Sequence, residues 1–434
     1  MTLLLKGGRV VDPSRKADAV GYLLIENGKI AGSGKELHRA GKNTSREGDP
    51  AMEILDLRGK IVVPGLIDMH THLREPGFEY RETIASGSEA ALAGGFTSIA
   101  CMPNTNPVND NRSVTEYICR KATECGLVNV YPVAAISVKS EGAFLTEFQD
   151  LKAAGAVGLS DDGKPVMNAA LMRRALEYAS SIDMPVIAHC EDRDLSAGGL
   201  MHEGFVATEL GLPGIPAVAE EVMVARDLLL AEFTGAAVHI AHVSTAGSVR
   251  LIREAKVRGV RVTAETAPHY FTLTDEALRG FDTNTKVYPP LRSAEDVAAV
   301  REGLRDGTLD VIASDHAPHA RTDKEVEFEY AASGLTGLET SLSLSLRLVA
   351  DGILTLPDLI EKMTVNPAGI LRLPKGTLAI GADADITVID PDREWIVDRK
   401  LFRSRGKNSP FHGWNMKGMA VLTIVGGHIR YRDF

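Results

Sequence analysis

The strongest constraint on this chain is an alternation. From residue 61 onward, apolar strand-like runs recur at 61–72, 97–102, 128–136, 156–160, 185–189, 237–243, 260–265 and 310–314. Helical windows lie between them at 82–93, 113–125, 168–181, 217–233, 245–258 and 294–303, and closing helices are expected at 337–351 and 355–364. Regular strand–helix alternation implies parallel strands joined by right-handed crossovers. Eight such units predict an α/β chain with a (β/α)8 TIM-type barrel, whose chemistry sits at the C-terminal strand ends.

The flanks read differently. Residues 3–11 form a strand with a bend at Gly7-Gly8, residues 20–25 another, and Glu26-Asn27-Gly28-Lys29 a tight hairpin. A polar loop is expected over 34–52. Residues 375–434 return to β character, with a strand at 386–389 and a hairpin over 420–431. Sheet edges need partners, so the two ends are expected to build one small β-sandwich domain (1–60 with 375–434) around an inserted barrel (61–374). The basic stretch 399–405 is expected as a solvated loop.

Composition narrows the class of function. The net charge of −10 argues against nucleic-acid binding. Cys101, Cys119, Cys125 and Cys190 show no paired spacing, as for reduced thiols in a cytoplasmic protein, and Cys101 and Cys190 sit in apolar runs as core residues. The apolar patch at the N-terminus is too short for a signal peptide, and no window approaches the ~20 apolar residues of a membrane span.

Residues suited to metal chemistry gather at the predicted strand ends. The first strand carries Asp68, His70, His72 and Arg74 on one face, because strand side chains alternate. Alone, His70 and His72 could be incidental surface histidines. However, the fourth strand ends in Asp161-Asp162-Gly163, the fifth in His189, the sixth in His242 and the eighth in Asp315. Together they supply imidazole and carboxylate for two first-row ions, with zinc the expected metal. A carboxylate can bridge two ions, and Asp161 and Asp162 both offer one. A water held between two cations becomes a hydroxide nucleophile near neutral pH. Asp315 can take its proton and pass it to a leaving nitrogen, which predicts hydrolysis of an amide-like bond. Arg74, Asn104 and His319 can together hold a carboxylate. Period two places His239 off the face of His242, as a packed or supporting residue. His316 is expected to orient the site, and His269 is a pocket candidate without a role. His38, His202, His412 and His428 lie away from the strand ends and are expected to be structural or exposed.

These residues resemble the amidohydrolase superfamily, and within it the bacterial dihydroorotases that use an aspartate bridge. The motifs are Asp68-Met69-His70-Thr71-His72-Leu73-Arg74-Glu75-Pro76-Gly77, Met102-Pro103-Asn104-Thr105, Ser160-Asp161-Asp162-Gly163, His189-Cys190-Glu191-Asp192, Pro289-Pro290-Leu291-Arg292 and Asp315-His316-Ala317-Pro318-His319. The resemblance covers nearly the whole chain. It implies zinc-dependent, reversible interconversion of N-carbamoyl-L-aspartate and L-dihydroorotate in pyrimidine biosynthesis. It selects Asp162 as the bridge, with His70, His72, Asp162 and Asp315 on one zinc and Asp162, His189 and His242 on the other. Asp315 becomes the acid/base, and Arg74, Asn104 and His319 the carboxylate clamp. Tyr288 stands where the family has a substrate-contacting asparagine, and Ala332-Ser333-Gly334 where it commonly has Pro-Phe-Gly. The pocket edge is therefore expected to involve Tyr288, Ser333 and Gly334.

Two other readings compete. Hydantoinases and allantoinases also open cyclic ureides, but they bridge their metals with a carbamylated lysine, and here Lys164 follows only after Gly163. Some dihydroorotase-like chains are inactive partners of aspartate transcarbamoylase, but such chains lose ligands that are all present here. A homodimer and a transcarbamoylase complex are the candidate assemblies.

Overall fold

The strands fall into two large sheets and a short pair. The computed structural model describes residues 2–34 and 52–434. The polar loop expected over 34–52, with His38, lies outside them apart from its two end residues. In chain order the strands are β1 (Thr2–Asp12), β2 (Ala17–Glu26), β3 (Lys29–Gly34), β4 (Met52–Asp56), β5 (Ile61–Pro64), β6 (Leu66–Thr71), β7 (Phe96–Cys101), β8 (Asn129–Ala134) and β9 (Gly158–Leu159). They continue as β10 (Val186–Ala188), β11 (Met201–His202), β12 (Gly214–Ile215), β13 (Val238–Ile240), β14 (Val262–Thr266), β15 (Val311–Ile312), β16 (Ile386–Ile396), β17 (Asn415–Val425) and β18 (His428–Arg432).

The chain ends make one eight-stranded sheet, ordered β18-β17-β16-β5-β1-β2-β3 with β4 also on β1. Gly7, at φ +82°, marks the bulge where the β1–β2 register shifts. Asn27 and Gly28 take the two positive-φ positions of the β2–β3 hairpin. This sheet has its own core, including Leu3, Leu23, Ile25, Val62, Ile386 and Ile424.

The second sheet is the barrel, ordered β15-β14-β13-β10-β9-β8-β7-β6, with parallel pairing throughout. Closure between the last and first strands is slight. His72 N–H donates to His316 O at 2.8 Å. The buried Asp68 carboxylate accepts from Ser314 N–H and from His70 N–H. Asp68 is thus a staple between the β6 backbone and the chain just past β15. Helices such as Ile84–Gly94, Ala169–Ser181, Val218–Thr234 and Ala246–Val257 cover the barrel.

Two expectations change. The single strand expected over 61–72 is two strands. β5 pairs with β1 and β16 in the first sheet, and only β6 enters the barrel. Gly65 makes the crossing, because a Cβ there would lie 2.0 Å from Thr97 Oγ1. The basic stretch 399–405 is not simply solvated. Phe402 and Ser404 are buried, and the backbone N–H groups of Arg403 and Ser404 donate to Glu339. The carboxylates of Glu82 and Glu339 draw this segment onto the barrel, which local charge alone did not reveal.

Candidate metal centre and substrate cleft

The barrel brings the predicted histidines and aspartates to one point. Asp162 Oδ1 stands 3.4 Å from each of His70 Nε2, His189 Nδ1 and His242 Nε2. Its Oδ2 lies 3.5 Å from His72 Nε2. Asp315 Oδ1 lies 3.2 Å from His72 Nε2 and 3.7 Å from His70 Nε2. Donor atoms held about 2.0–2.1 Å from one tetrahedral ion stand about 3.3–3.4 Å apart, so most of these separations suit a shared cation. His70 Nε2 and Asp162 Oδ1 are buried with no hydrogen-bond partner, a condition that protein interiors rarely leave uncompensated. Two triplets, His70–His72–Asp162 and Asp162–His189–His242, overlap at Asp162. The donor set fits a divalent metal.

The choice between neighbouring aspartates is geometric. Asp161 turns the other way and accepts from the Ser137 N–H and hydroxyl. Lys164 is exposed, away from the cluster. Burial by itself pushes the Asp162 carboxyl up, but the His70, His189 and His242 imidazoles gathered around it outweigh that and hold the group well below the usual range.

The strand ends set the side-chain directions. His242, Asp315 and Arg74 have φ of +35°, +48° and +62°. Such left-handed, non-glycine backbone is sparsely populated and costs of order 1–3 kcal/mol per residue. It turns these side chains toward the site after their strands have ended. His242 lies beyond β13, on the side of the ligand cluster. His239 sits within that strand, one layer deeper.

That deeper layer holds a residue that the sequence did not single out. Glu265 Oε1 lies 2.5 Å from His70 Nδ1, and its Oε2 lies 3.3 Å from His239 Nε2. Thr263 Oγ1 lies 2.8 Å from His239 Nδ1. A carboxylate on the remote nitrogen fixes the imidazole tautomer and ring orientation, leaving Nε2 as a lone-pair donor. The available signal was the one acid inside the largely buried strand β14. Glu265→Gln preserves volume but removes the charge. It is expected to weaken divalent-metal affinity about 10- to 100-fold, as read by competition with a chromophoric chelator. Unchanged affinity would rule out this role.

Beside the cluster is a cleft of about 490 Å3, lined by residues including Arg74, Asn104, Tyr288, His319, Ser333 and Gly334. Arg74 is buried, with Nε donating to Pro318 O at 3.2 Å, and among the described residues it has no carboxylate within ion-pair distance. Burial and the nearby Arg81 push its guanidinium down to about 10, so it stays charged at neutral pH. His319 Nε2–H donates to Ser333 O at 2.8 Å. Burial, then the Arg74 charge, pushes His319 down to about 2, so it is neutral. Asn104 Oδ1 accepts from His72 Nδ1–H at 2.9 Å, which leaves the Asn104 amide N–H groups to donate elsewhere. Tyr288 faces Glu191, and burial followed by that charge pushes its phenol up to about 12, so it remains a protonated donor. Gly334 has φ +130°, and a Cβ there would lie 2.7 Å from Ala317 Cβ.

The remaining histidines divide. His316 Nδ1 accepts from Gly337 N–H at 3.2 Å, and its Nε2 faces Glu82 at 3.4 Å. His269 is buried against Tyr270 with both ring nitrogens unpartnered. His412 and His428 are exposed.

Comparison with known proteins agrees with this geometry. Residues 59–248 match the family model described as dihydro-orotase-like, and residues 218–431 match the model of the amidohydrolase family. A dihydroorotase of Syntrophus aciditrophicus is 67% identical over 433 residues, covering all of both chains. One of Pelotomaculum thermopropionicum is 62% identical over 437 residues, covering 100% of this chain and 99% of the other. Among solved structures, an L-hydantoinase (dihydropyrimidinase) from Arthrobacter aurescens superposes with a TM-score of 0.86 at 28% identity, covering 99% of this chain and 96% of that one.

Proposed function

This chain belongs to the dihydroorotase family, and on that premise we propose that it interconverts N-carbamoyl-L-aspartate and L-dihydroorotate in pyrimidine biosynthesis. The observation that carries the reading is the buried, unpaired Arg74 guanidinium across the cleft from the convergent His/Asp cluster. An unpaired buried cation is costly, and a substrate carboxylate removes that cost. Both partners of this reaction carry one.

His70, His72, Asp162 and Asp315 would hold one zinc, and Asp162, His189 and His242 the other. When bound, the ions supply Lewis-acid polarisation of the ring carbonyl and acidify the attacking water. Arg74, Asn104 and the Nε2–H of neutral His319, shared with Ser333 O, hold the carboxylate and fix the ring over the cluster. In ring opening, a water oxygen forms a bond to the ring amide carbon. Asp315 takes the water proton on its carboxylate and delivers it to the ring nitrogen as the C–N bond breaks. Closure runs the same transfers backward. Tyr288, Ser333 and Gly334 border the ring, Tyr288 as a hydrogen-bond donor. The chain reads as two domains, a composite β domain built from the two ends of the chain and a barrel between them, with the crossing at Gly65. Four free thiols and a biosynthetic role suit the cytoplasm, and no helix among the described residues is long and apolar enough to cross a membrane. A homodimer and a complex with aspartate transcarbamoylase are the assemblies to test.

The likeness to a hydantoinase favours one other reading, cyclic ureide hydrolysis without a carboxylate requirement. Metal analysis of the purified protein, with turnover measured on dihydroorotate and on hydantoin, separates the readings. Bound divalent metal and preference for dihydroorotate are expected. Turnover of hydantoin alone would overturn the proposal. Protein that binds no metal and stays inactive after zinc addition would point to a non-catalytic subunit.

A further inference from the structure

The carboxylate end of the cleft is assembled by a residue from the other half of the molecule. The segment between β16 and β17 leaves the terminal sheet and crosses the C-terminal face of the barrel. Its start is fixed by Arg403 and Ser404 N–H on Glu339, and by the Ser404 hydroxyl and Arg405 N–H on Glu82. Gly406 lies against Pro318, where a Cβ would come within 2.6 Å of the proline Cβ. The segment then delivers Asn408, which is buried.

Asn408 Oδ1 accepts from His319 N–H at 3.0 Å. Its Nδ2 donates to Ala317 O and to Gly334 O, each at 3.0 Å. Its own carbonyl accepts from Thr336 N–H at 3.0 Å. Only one orientation of the amide satisfies this set. A flipped amide would set NH2 against an N–H and oxygen against two carbonyls. One side chain therefore joins two loops, the 317–319 loop that carries His319 and the 334–336 loop that follows Ser333 and Gly334. Pro318 O, between two of these bonded groups, is the acceptor that holds Arg74 Nε.

We infer that Asn408 is a positioning residue for substrate binding, setting the spacing of Arg74, His319 and Gly334 around the carboxylate. It touches neither the reacting atoms nor the metal cluster, so its effect falls on binding. This rests on the carboxylate role proposed above for Arg74 and His319.

The test measures kcat, KM, metal content and melting temperature for the parent and for Arg74→Ala, Asn408→Ala and Asn408→Ser. For both Asn408 variants, KM for dihydroorotate is expected to rise about 10- to 100-fold, the usual scale for misplaced binding groups. Their kcat is expected to stay within about threefold and their metal content unchanged. A merely structural residue would lower active fraction and stability without this split. If Asn408→Ala does not fold, Asn408→Ser, which keeps a hydroxyl for the His319 N–H, carries the same readout. Unchanged KM, or a fall in kcat that tracks metal loss, overturns the inference. If Arg74→Ala leaves KM and kcat/KM unchanged, the carboxylate reading itself fails. If Arg74→Ala raises KM and the Asn408 variants do not, only the role of Asn408 fails.

Discussion

Asp315→Asn is expected to lower kcat by roughly 100- to 10,000-fold, the usual worth of a positioned general acid–base. Asparagine keeps the size of the side chain and an oxygen for His72, whose Nε2 lies 3.2 Å from the Asp315 carboxylate. It cannot shuttle a proton. Metal should largely remain, because His70–His72–Asp162 and Asp162–His189–His242 are untouched. The pairing of a large rate loss with retained metal separates proton transfer from ligation. Elemental analysis alongside steady-state rates reads both, and turnover near that of the parent would refute the assignment.

Arg74→Ala should lower kcat/KM for dihydroorotate by roughly 30- to 5,000-fold. The scale is the 2–5 kcal/mol seen when one member of a buried charge pair is removed, at about 1.4 kcal/mol per tenfold. The guanidinium is buried and has no acid partner of its own among the described residues, so it is already poised for an anion. Its loss also frees Pro318 O. Hydantoin, which lacks the carboxylate, should be far less affected. Equal losses on both substrates would mean that Arg74 supports the fold and not the substrate.

Some misreadings along the chain share a cause. The 61–72 run looks like one strand because nothing local in Pro64-Gly65 says which sheet each half joins; the distant partners do, β1 and β16 for the first half and β7 for the second. The run 399–405 looks solvated because its basic residues are visible, whereas Glu82 and Glu339, which hold it, lie more than sixty residues away in the chain. Nothing local marks Glu265, because its partner His70 stands 195 positions earlier.

What the sequence determined by itself was the architecture and the donor set. The period of apolar runs specifies strands and helices through local geometry, and every predicted ligand occurs at the end of such a run. Tertiary structure alone decided which acid supports His70 and how a segment of the terminal sheet reaches the cleft through Asn408. Those choices depend on atoms only a few ångströms apart in space but tens to hundreds of residues apart in sequence. Periodicity carries no information about them until the barrel closes.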